Sequence, residues 1–268
     1  MDVHFYGTAA FEGIPSLFCR CTLCGEARKR GGKNIRSRTS VSIDNELKID
    51  FPPDSFYHMI RDGIDLEEMK DLLFTHSHSD HLYTDDLNAR LPGYAQAAER
   101  PIHVYAHDVV LRLCQQAMEA PQDKFRFHRI QPFHPVQTQT AMITPLLASH
   151  DPMETCLLYY IEKDGRQILH GHDSGWFPEP TWAFLKDKQL DLAILECTVG
   201  RSPHRANHMN IDAVLETKAW FDENRVLQPT GKVVVTHFSH NAHLLHEDLA
   251  AIFEPDIIVA YDGMTLQI

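Results

Sequence analysis

Apolar and polar positions along the chain fall into short runs that predict strands interleaved with helices. Residues 3–6, Val3-His4-Phe5-Tyr6, read as a strand, followed by the turn-rich Gly7-Thr8-Ala9-Ala10 and Gly13-Ile14-Pro15-Ser16. Residues 39–50 alternate well enough for one or two strands, and Leu72-Leu73-Phe74 is a short buried strand running into His76. Val110, Leu111, Leu113, Cys114 and Met118 stand at helical spacing and predict a helix over 107–119. Residues 141–169 are β-rich, 182–188 look helical, and 192–195 form a strand. A helix over 210–221 takes Asn210 as its N-cap, and 233–235 make a strand. A helix over 244–253 and strands at 257–259 and 264–266 complete the pattern. No linker or repeat interrupts it, so the expectation is one mixed α/β domain over residues 1–268.

Composition narrows the class. The 268 residues are 43% hydrophobic and 23% charged, the balance of an ordinary globular chain. No apolar run approaches the roughly 18–20 residues a membrane span needs. Met1-Asp2-Val3-His4 lacks the basic and apolar regions of a secretory signal, which predicts a soluble cytoplasmic protein. A net charge of −12 disfavours broad contact with nucleic acid, whose affinity comes mainly from Lys and Arg on phosphates. The basic stretch Arg28, Lys29, Arg30, Lys33, Arg36 and Arg38 reads as a solvated loop, with phosphate steering as its alternative. Small anionic substrates therefore fit better than RNA, and a homodimer is allowed.

Eighteen histidines make their placement informative, since imidazole is the commonest metal ligand. Four positions with metal-capable side chains follow apolar strands: His76, His150, Asp173 and His237. Strand ends converge at a sheet edge, so these distant residues can meet there. In Thr75-His76-Ser77-His78-Ser79-Asp80-His81, residues i and i+2 of an extended segment point the same way, so His76 and His78 can grip one metal. A helix starting directly afterwards would swing Asp80 and His81 toward a second metal beside the first. Upstream, Cys19-Arg20-Cys21-Thr22-Leu23-Cys24 is a knuckle that turns three thiolates toward one zinc. A fourth cysteine or a histidine would close it; a redox thiol cluster is the competing reading. Cys114, Cys156 and Cys197 sit singly among apolar neighbours and read as small buried hydrophobes.

The H-x-H-x-D-H string resembles the metallo-β-lactamase superfamily of binuclear hydrolases. Together with Gly7-Thr8, Gly13-Ile14-Pro15-Ser16, the C-x-C-x-x-C knuckle, Arg38-Thr39-Ser40 and Tyr261-Asp262-Gly263-Met264, it looks like the PhnP-type cyclic phosphodiesterase branch. That resemblance implies an α/β fold, a four-layer αββα sandwich with metals at one edge. It implies His76, His78 and His150 on the first metal, Asp80, His81 and His237 on the second, and Asp173 bridging them. In Thr236-His237-Phe238-Ser239-His240 it implies His240 as the fourth ligand of Cys19, Cys21 and Cys24, with His243 and His246 as nearby competitors. It implies two catalytic divalent metals, Zn or Mn, and one structural Zn. Two such ions against Asp80, Asp173 and a bridging hydroxide leave about one positive charge, enough to attract a phosphodiester and to acidify bound water.

The resemblance further implies that Asp80 and His208 carry the chemistry. His208, in Asn207-His208-Met209-Asn210 at the start of a helix, matches the general acid that protonates the leaving oxygen, with His204 as its competitor. A helix N-terminus would lower its pKa. Glu196 and Asp50 are candidates to orient metal-bound histidines, and His170 and His172 read as local packing. The implied activity is hydrolysis of a small cyclic phosphate ester, a ribose 1,2-cyclic or 2′,3′-cyclic nucleotide phosphate. Alternatives are RNA 3′-end processing, thioester or lactam hydrolysis, and a zinc-binding protein without catalysis. The chain departs from the family pattern at Phe51-Pro52-Pro53-Asp54, where a small residue and glycine are usual, which bears on the pocket floor.

Overall fold

Strands β1 (Asp2–Gly7), β2 (Ser40–Ile43), β3 (Leu47–Ile49), β4 (Asp71–Leu73), β5 (Ile102–Ala106) and β6 (Phe125–Arg129) build the first sheet. The second holds β7 (Val136–Gln137), β8 (Met142–Leu147), β9 (Leu157–Lys163), β10 (Arg166–Gly171), β11 (Leu190–Glu196), β12 (Leu227–Thr236) and β13 (Ile258–Val259). The final strand, β14 (Met264–Gln267), returns to pair antiparallel with β1. This computed structural model describes residues 1–96, 99–117 and 123–268, and among them each sheet has seven strands.

The side-chain alternation of the strands explains the layering. In β11, Leu192 and Ile194 join Val3, Phe5, Val41, Leu73 and Tyr159 in the core between the sheets. Their neighbours Ala193 and Leu195 face the opposite way, into a layer shared with Trp182, Leu185, Val214, Phe221, Leu249 and Phe253. Buried on both faces, β11 is apolar nearly throughout, as a parallel central strand must be. On the far side, Leu72, Phe74 and Val104 pack against Val110, Leu111 and Cys114. The result is helix–sheet–sheet–helix, the α/β sandwich expected.

The helices show where local pattern succeeds. Among them, α1 (Thr22–Arg30), α2 (Ser55–Asp62), α3 (Asp108–Ala117), α4 (Glu179–Leu185), α5 (Ile211–Glu223) and α6 (His246–Phe253) flank the sheets. The Asn210 side chain accepts from the Ala213 N–H at 2.8 Å, capping α5 as expected. The helix expected over 107–119 is α3; Met118 lies outside the described residues. Three expectations need correction. The helix read over 182–188 begins earlier, at Glu179, because proline in the first turn gives up no helical hydrogen bond. The helix read over 244–253 starts at His246. Part of the basic stretch is α1 rather than loop, with Arg28, Lys29 and Arg30 at its C-terminus, where cations are favoured. Helix α2 gave no apolar signal because it is inside out: Ser55 and His58 are buried while Phe56, Tyr57 and Ile60 are exposed.

Candidate metal centre

The loops that follow β4, β8, β10 and β12 converge, and they come from both sheets rather than from one sheet edge. His76 follows β4 of the first sheet; His150, Asp173 and His237 follow β8, β10 and β12 of the second. Asp173 Oδ2 stands at the centre. It lies 3.9 Å from His76 Nε2, 3.5 Å from His81 Nε2, 3.4 Å from His150 Nε2 and 3.5 Å from His237 Nε2. Asp80 Oδ2 is 3.4 Å from His81 Nε2 and 3.7 Å from His237 Nε2. Two sets of donor atoms within 4.8 Å of one another emerge, His76, His78 and His150, and Asp80, His81 and His237, with Asp173 beside both.

Each histidine is held by its other ring nitrogen. His76 Nδ1 meets Thr75 Oγ1 at 3.0 Å, and His81 Nδ1 donates to Asp50 Oδ2 at 2.7 Å. His150 Nδ1 donates to the Asn207 carbonyl at 3.1 Å, and His237 Nδ1 meets Thr198 Oγ1 at 2.7 Å. His78 is turned about, its Nε2 on Asp151 at 3.0 Å and its Nδ1 toward His150. Such outer contacts fix tautomer and ring orientation, leaving a lone pair inward. Asp50, anticipated in this role, also accepts from the Thr75 N–H at 2.8 Å. Asp151 and Thr198 carried no signal in the sequence. Asp50 and His237 both adopt left-handed backbone, φ 61° and 57°, an uncommon conformation for a residue other than glycine.

The donors fit cations. His76, His81 and His237 are fully buried, and their inward Nε2 atoms make no hydrogen bond. Burial holds His76 neutral, well below its ordinary pKa, with the neighbouring His81 charge acting the same way. Burial also opposes charge on His81, but Asp80 and Asp50 outweigh it and raise its pKa. The buried carboxylates of Asp80 and Asp173 thus demand positive charge at this spot, whether from protons or from metal.

The chain does not turn into a helix after His78, contrary to expectation. His81 N–H and Leu82 N–H both bond the His78 carbonyl in a turn, which brings Asp80 and His81 inward instead. Phe51 is buried beside this turn, its N–H on the His81 carbonyl at 2.7 Å and its carbonyl taking the Tyr83 N–H at 2.8 Å. The Phe51-Pro52-Pro53-Asp54 departure therefore braces the His81 segment and does not line the cavity.

That cavity, about 530 Å³, opens onto Asp173 and is lined by His78, Asp80, His150, His208 and His237 among others. His208 Nδ1 lies 2.8 Å from Asp173 Oδ1 and 3.2 Å from both Glu196 oxygens. Burial opposes its charge, but Glu196 and Asp173 prevail and push its pKa up to about 11. Two expectations change here. His208 lies in the loop ahead of α5 and not in its first turn, so carboxylates set its pKa, upward. Glu196, fully buried and fixed by the Ser174 N–H at 2.7 Å, orients His208 and not one of the five histidines of the two donor sets. The loop is pinned where the Trp176 N–H bonds the Arg205 carbonyl at 3.0 Å; a Cβ on Gly175 would stand 2.2 Å from the Ala206 oxygen, so only glycine fits. His204 is exposed and outside the cavity lining. His172 is fully buried with neither ring nitrogen hydrogen-bonded, and His170 packs against it at 4.1 Å between ring centroids.

Away from the cavity, Cys19, Cys21, Cys24 and His240 bring four donor atoms within 4.8 Å of one another. His240 Nδ1 is 3.6 Å from both Cys19 and Cys21 sulfurs. Its competitors are elsewhere: His243 is exposed and His246 is bound to Arg36 at 3.1 Å. The Cys24 N–H draws the Cys21 thiol down to about 6, while burial and the adjacent sulfurs push Cys24 up to about 11. Four such donors this close together are the set that holds a zinc ion, whose charge would draw the proton from Cys24. Cys114, Cys156 and Cys197 are buried, as expected of small hydrophobes.

Known proteins share this architecture. The fold superposes on a diphosphatase from the PhnP family with a TM-score of 0.76 at 21% identity, over 99% of this chain and 97% of that one. Zn²⁺-bound PqqB from Methylobacterium extorquens gives 0.78 at 18% identity over 100% of both chains. Human tRNase Z, short form, gives 0.65 at 17% identity over 100% of this chain and 99% of that one. At these identities the likeness shows the fold. No curated protein matches the chain. The model of the beta-lactamase superfamily domain matches residues 53–238, which contain Asp173 and the six donors of the two sets beside it. The chain belongs to the beta-lactamase superfamily, a superfamily of metal-dependent hydrolases.

Proposed function

We propose that this chain is a binuclear phosphodiesterase that opens a small cyclic phosphate ester, a ribose 1,2-cyclic or 2′,3′-cyclic nucleotide phosphate. The observation that carries the reading is the single Asp173 oxygen surrounded by four inward imidazole nitrogens, with His208 alongside. His76, His78 and His150 would hold one cation, Asp80, His81 and His237 another, and Asp173 would bridge them. Divalent cations bound there supply acidified water and positive charge facing the phosphoryl oxygens. Cys19, Cys21, Cys24 and His240 would hold a structural zinc.

The protein's own part is orientation and proton handling. Water adds to phosphorus and gives up a proton to solvent, one ester P–O bond breaks, and the departing oxygen takes a proton from His208, which solvent then restores. The carboxylates on Nδ1 leave Nε2 as the atom that delivers it. Asp80 would hold the second cation together with His81 and His237, whose Nε2 atoms lie 3.4 and 3.7 Å from its Oδ2. A cavity of about 530 Å³ suits a nucleotide-sized ligand. Likeness to the PhnP-family diphosphatase supports phosphate chemistry. The tRNase Z likeness raises RNA, but Arg36 is buried on Ala260 and Arg38 is paired with Asp54, so two of the six cations of the basic stretch are withdrawn from such a contact.

The test is elemental analysis followed by a panel of cyclic phosphates, linear diesters, thioesters and a precursor tRNA. We expect up to three metals per chain, at least one of them zinc, and turnover of cyclic phosphates with little response to added salt. Thioester turnover without diester turnover, or RNA cleavage falling steeply with salt, would overturn the reading.

A further inference from the structure

The cavity rim has a charge pattern that bears on the alcohol portion of a substrate. Besides the two aspartates beside the histidines, the lining contains a third carboxylate, Glu12, and, among the described residues, no lysine or arginine. Thr198, Ser202, Asn207, Ser239 and Asn241 supply the remaining polar surface. Glu12 belongs to neither donor set around Asp173, so a cation there would not neutralise it. It is fixed in place by the Ser239 hydroxyl, which donates to Glu12 Oε1, and His240 Nε2 lies 3.7 Å away.

The three guanidiniums of the neighbouring cavity are committed. Arg38 lies behind Phe11, 5.8 Å from its ring, donates from Nε to the Phe11 carbonyl at 2.7 Å and pairs with Asp54 at 3.2 Å. Arg61 is bound to Asp62 and Asp262, and Arg36 is buried against Thr8 and Ala260. These three border a neighbouring cavity of about 320 Å³ that also reaches Glu12, but Asp54, Asp262 and Glu12 balance their charge there. A second phosphate on the substrate would find the Glu12 carboxylate at the rim, with these three guanidiniums already paired.

Phe11 completes the rim. Its ring lines the same cavity yet is 57% exposed, an apolar face left open beside Glu12. Arg38, paired with Asp54, holds the Phe11 carbonyl and so fixes the backbone from which the ring projects. A flat ring stacks on such a face, and losing one base–aromatic stack weakens binding by about fivefold or more.

We propose that Phe11 and Glu12 select the substrate: a phosphodiester of single negative charge carrying a planar uncharged group, in preference to one bearing an additional phosphomonoester. This rests on the phosphodiesterase reading above and narrows its substrate class. A dianion near one carboxylate in a partly solvated cavity is disfavoured by at least about tenfold.

The experiment compares kcat/KM of the metal-loaded wild type on adenosine 2′,3′-cyclic phosphate, its 5′-phosphorylated form and base-free ribose 1,2-cyclic phosphate. Wild type should prefer the first over the second by at least about tenfold. Glu12→Gln, which keeps an acceptor for Ser239, should narrow that ratio at least threefold. Asn241→Lys, which adds a rim cation without touching Glu12, should narrow it too and guards against Glu12→Gln disturbing the cysteine site. Phe11→Leu should lose about fivefold or more on the adenosine substrates and much less on the base-free one. Equal or better use of the 5′-phosphorylated substrate by wild type, or ratios unmoved in both rim variants, would overturn the proposal. If wild type hydrolyses no diester, the phosphodiesterase reading fails by itself. Calorimetric binding of adenosine 2′-phosphate against adenosine 2′,5′-bisphosphate to the zinc-loaded protein then decides: tighter binding of the monophosphate, narrowed in Glu12→Gln, supports the charge rule, and equal binding overturns it.

Discussion

Replacing His208 with alanine separates a proton donor from a metal ligand. The imidazole touches Asp173 at 2.8 Å and Glu196 at 3.2 Å, and Asp173, Glu196, His208 and His237 together form another set that could hold an ion. Glu196 nevertheless keeps the Ser174 and Thr198 N–H groups at 2.7 and 3.3 Å when His208 is removed. Folding should therefore lose about one charge-assisted hydrogen bond, roughly 1.5–3 kcal/mol, and Tm should fall by less than about 10 °C. Loss of a general acid costs about 10²–10⁴ in rate, or roughly 3–5 kcal/mol of barrier. That loss should appear with alkoxide leaving groups, which need the proton. A nitrophenyl diester, whose leaving group departs readily as an anion, should lose less than about tenfold. Kinetics on both substrates, with metal content measured on the same samples, is the assay. Equal loss on both substrates, or one metal missing per chain, would refute the proton-donor role.

Two further predictions address the supports. Asp50→Asn keeps the shape and the left-handed backbone but takes the charge from His81 Nδ1, so affinity for a divalent metal should fall about 10–100-fold, measured by competition with a chromogenic chelator; unchanged affinity would remove Asp50 from the centre. Lys48 is fully buried against Ser40 and the Tyr6 ring, and burial drives its pKa from 10.5 to about 7 despite Asp50 and Asp62. The unfolded chain then holds a proton between about pH 7 and 10.5 that the folded chain releases, so stability rises with pH across that window, by roughly 5 kcal/mol at most. Lys48→Met should raise the urea midpoint at pH 7 and flatten the rise; a midpoint that falls at pH 7 would contradict this.

The sequence by itself determined the ingredients. Period-two and period-3.6 patterns located most strands and helices α3 and α5, because those elements each turn a continuous apolar face to a core. The H-x-H-x-D-H string and the cysteine knuckle were visible because their donors are close along the chain and therefore close in space. Tertiary structure decided the rest. Helix α2 was hidden because its apolar residues face outward, and Asp151 and Thr198 because a hydrogen-bond partner distant in sequence leaves no local pattern. Glu196 was noticed but misassigned: its register beside Thr236 in neighbouring parallel strands sets it under His208. Only the stacking of two sheets brings the ends of β4, β8, β10 and β12 to one point, and only there does Asp173 meet four imidazoles. Sequence spacing constrains neighbours a few residues apart; the packing of one sheet on another is what makes neighbours of residues 160 apart.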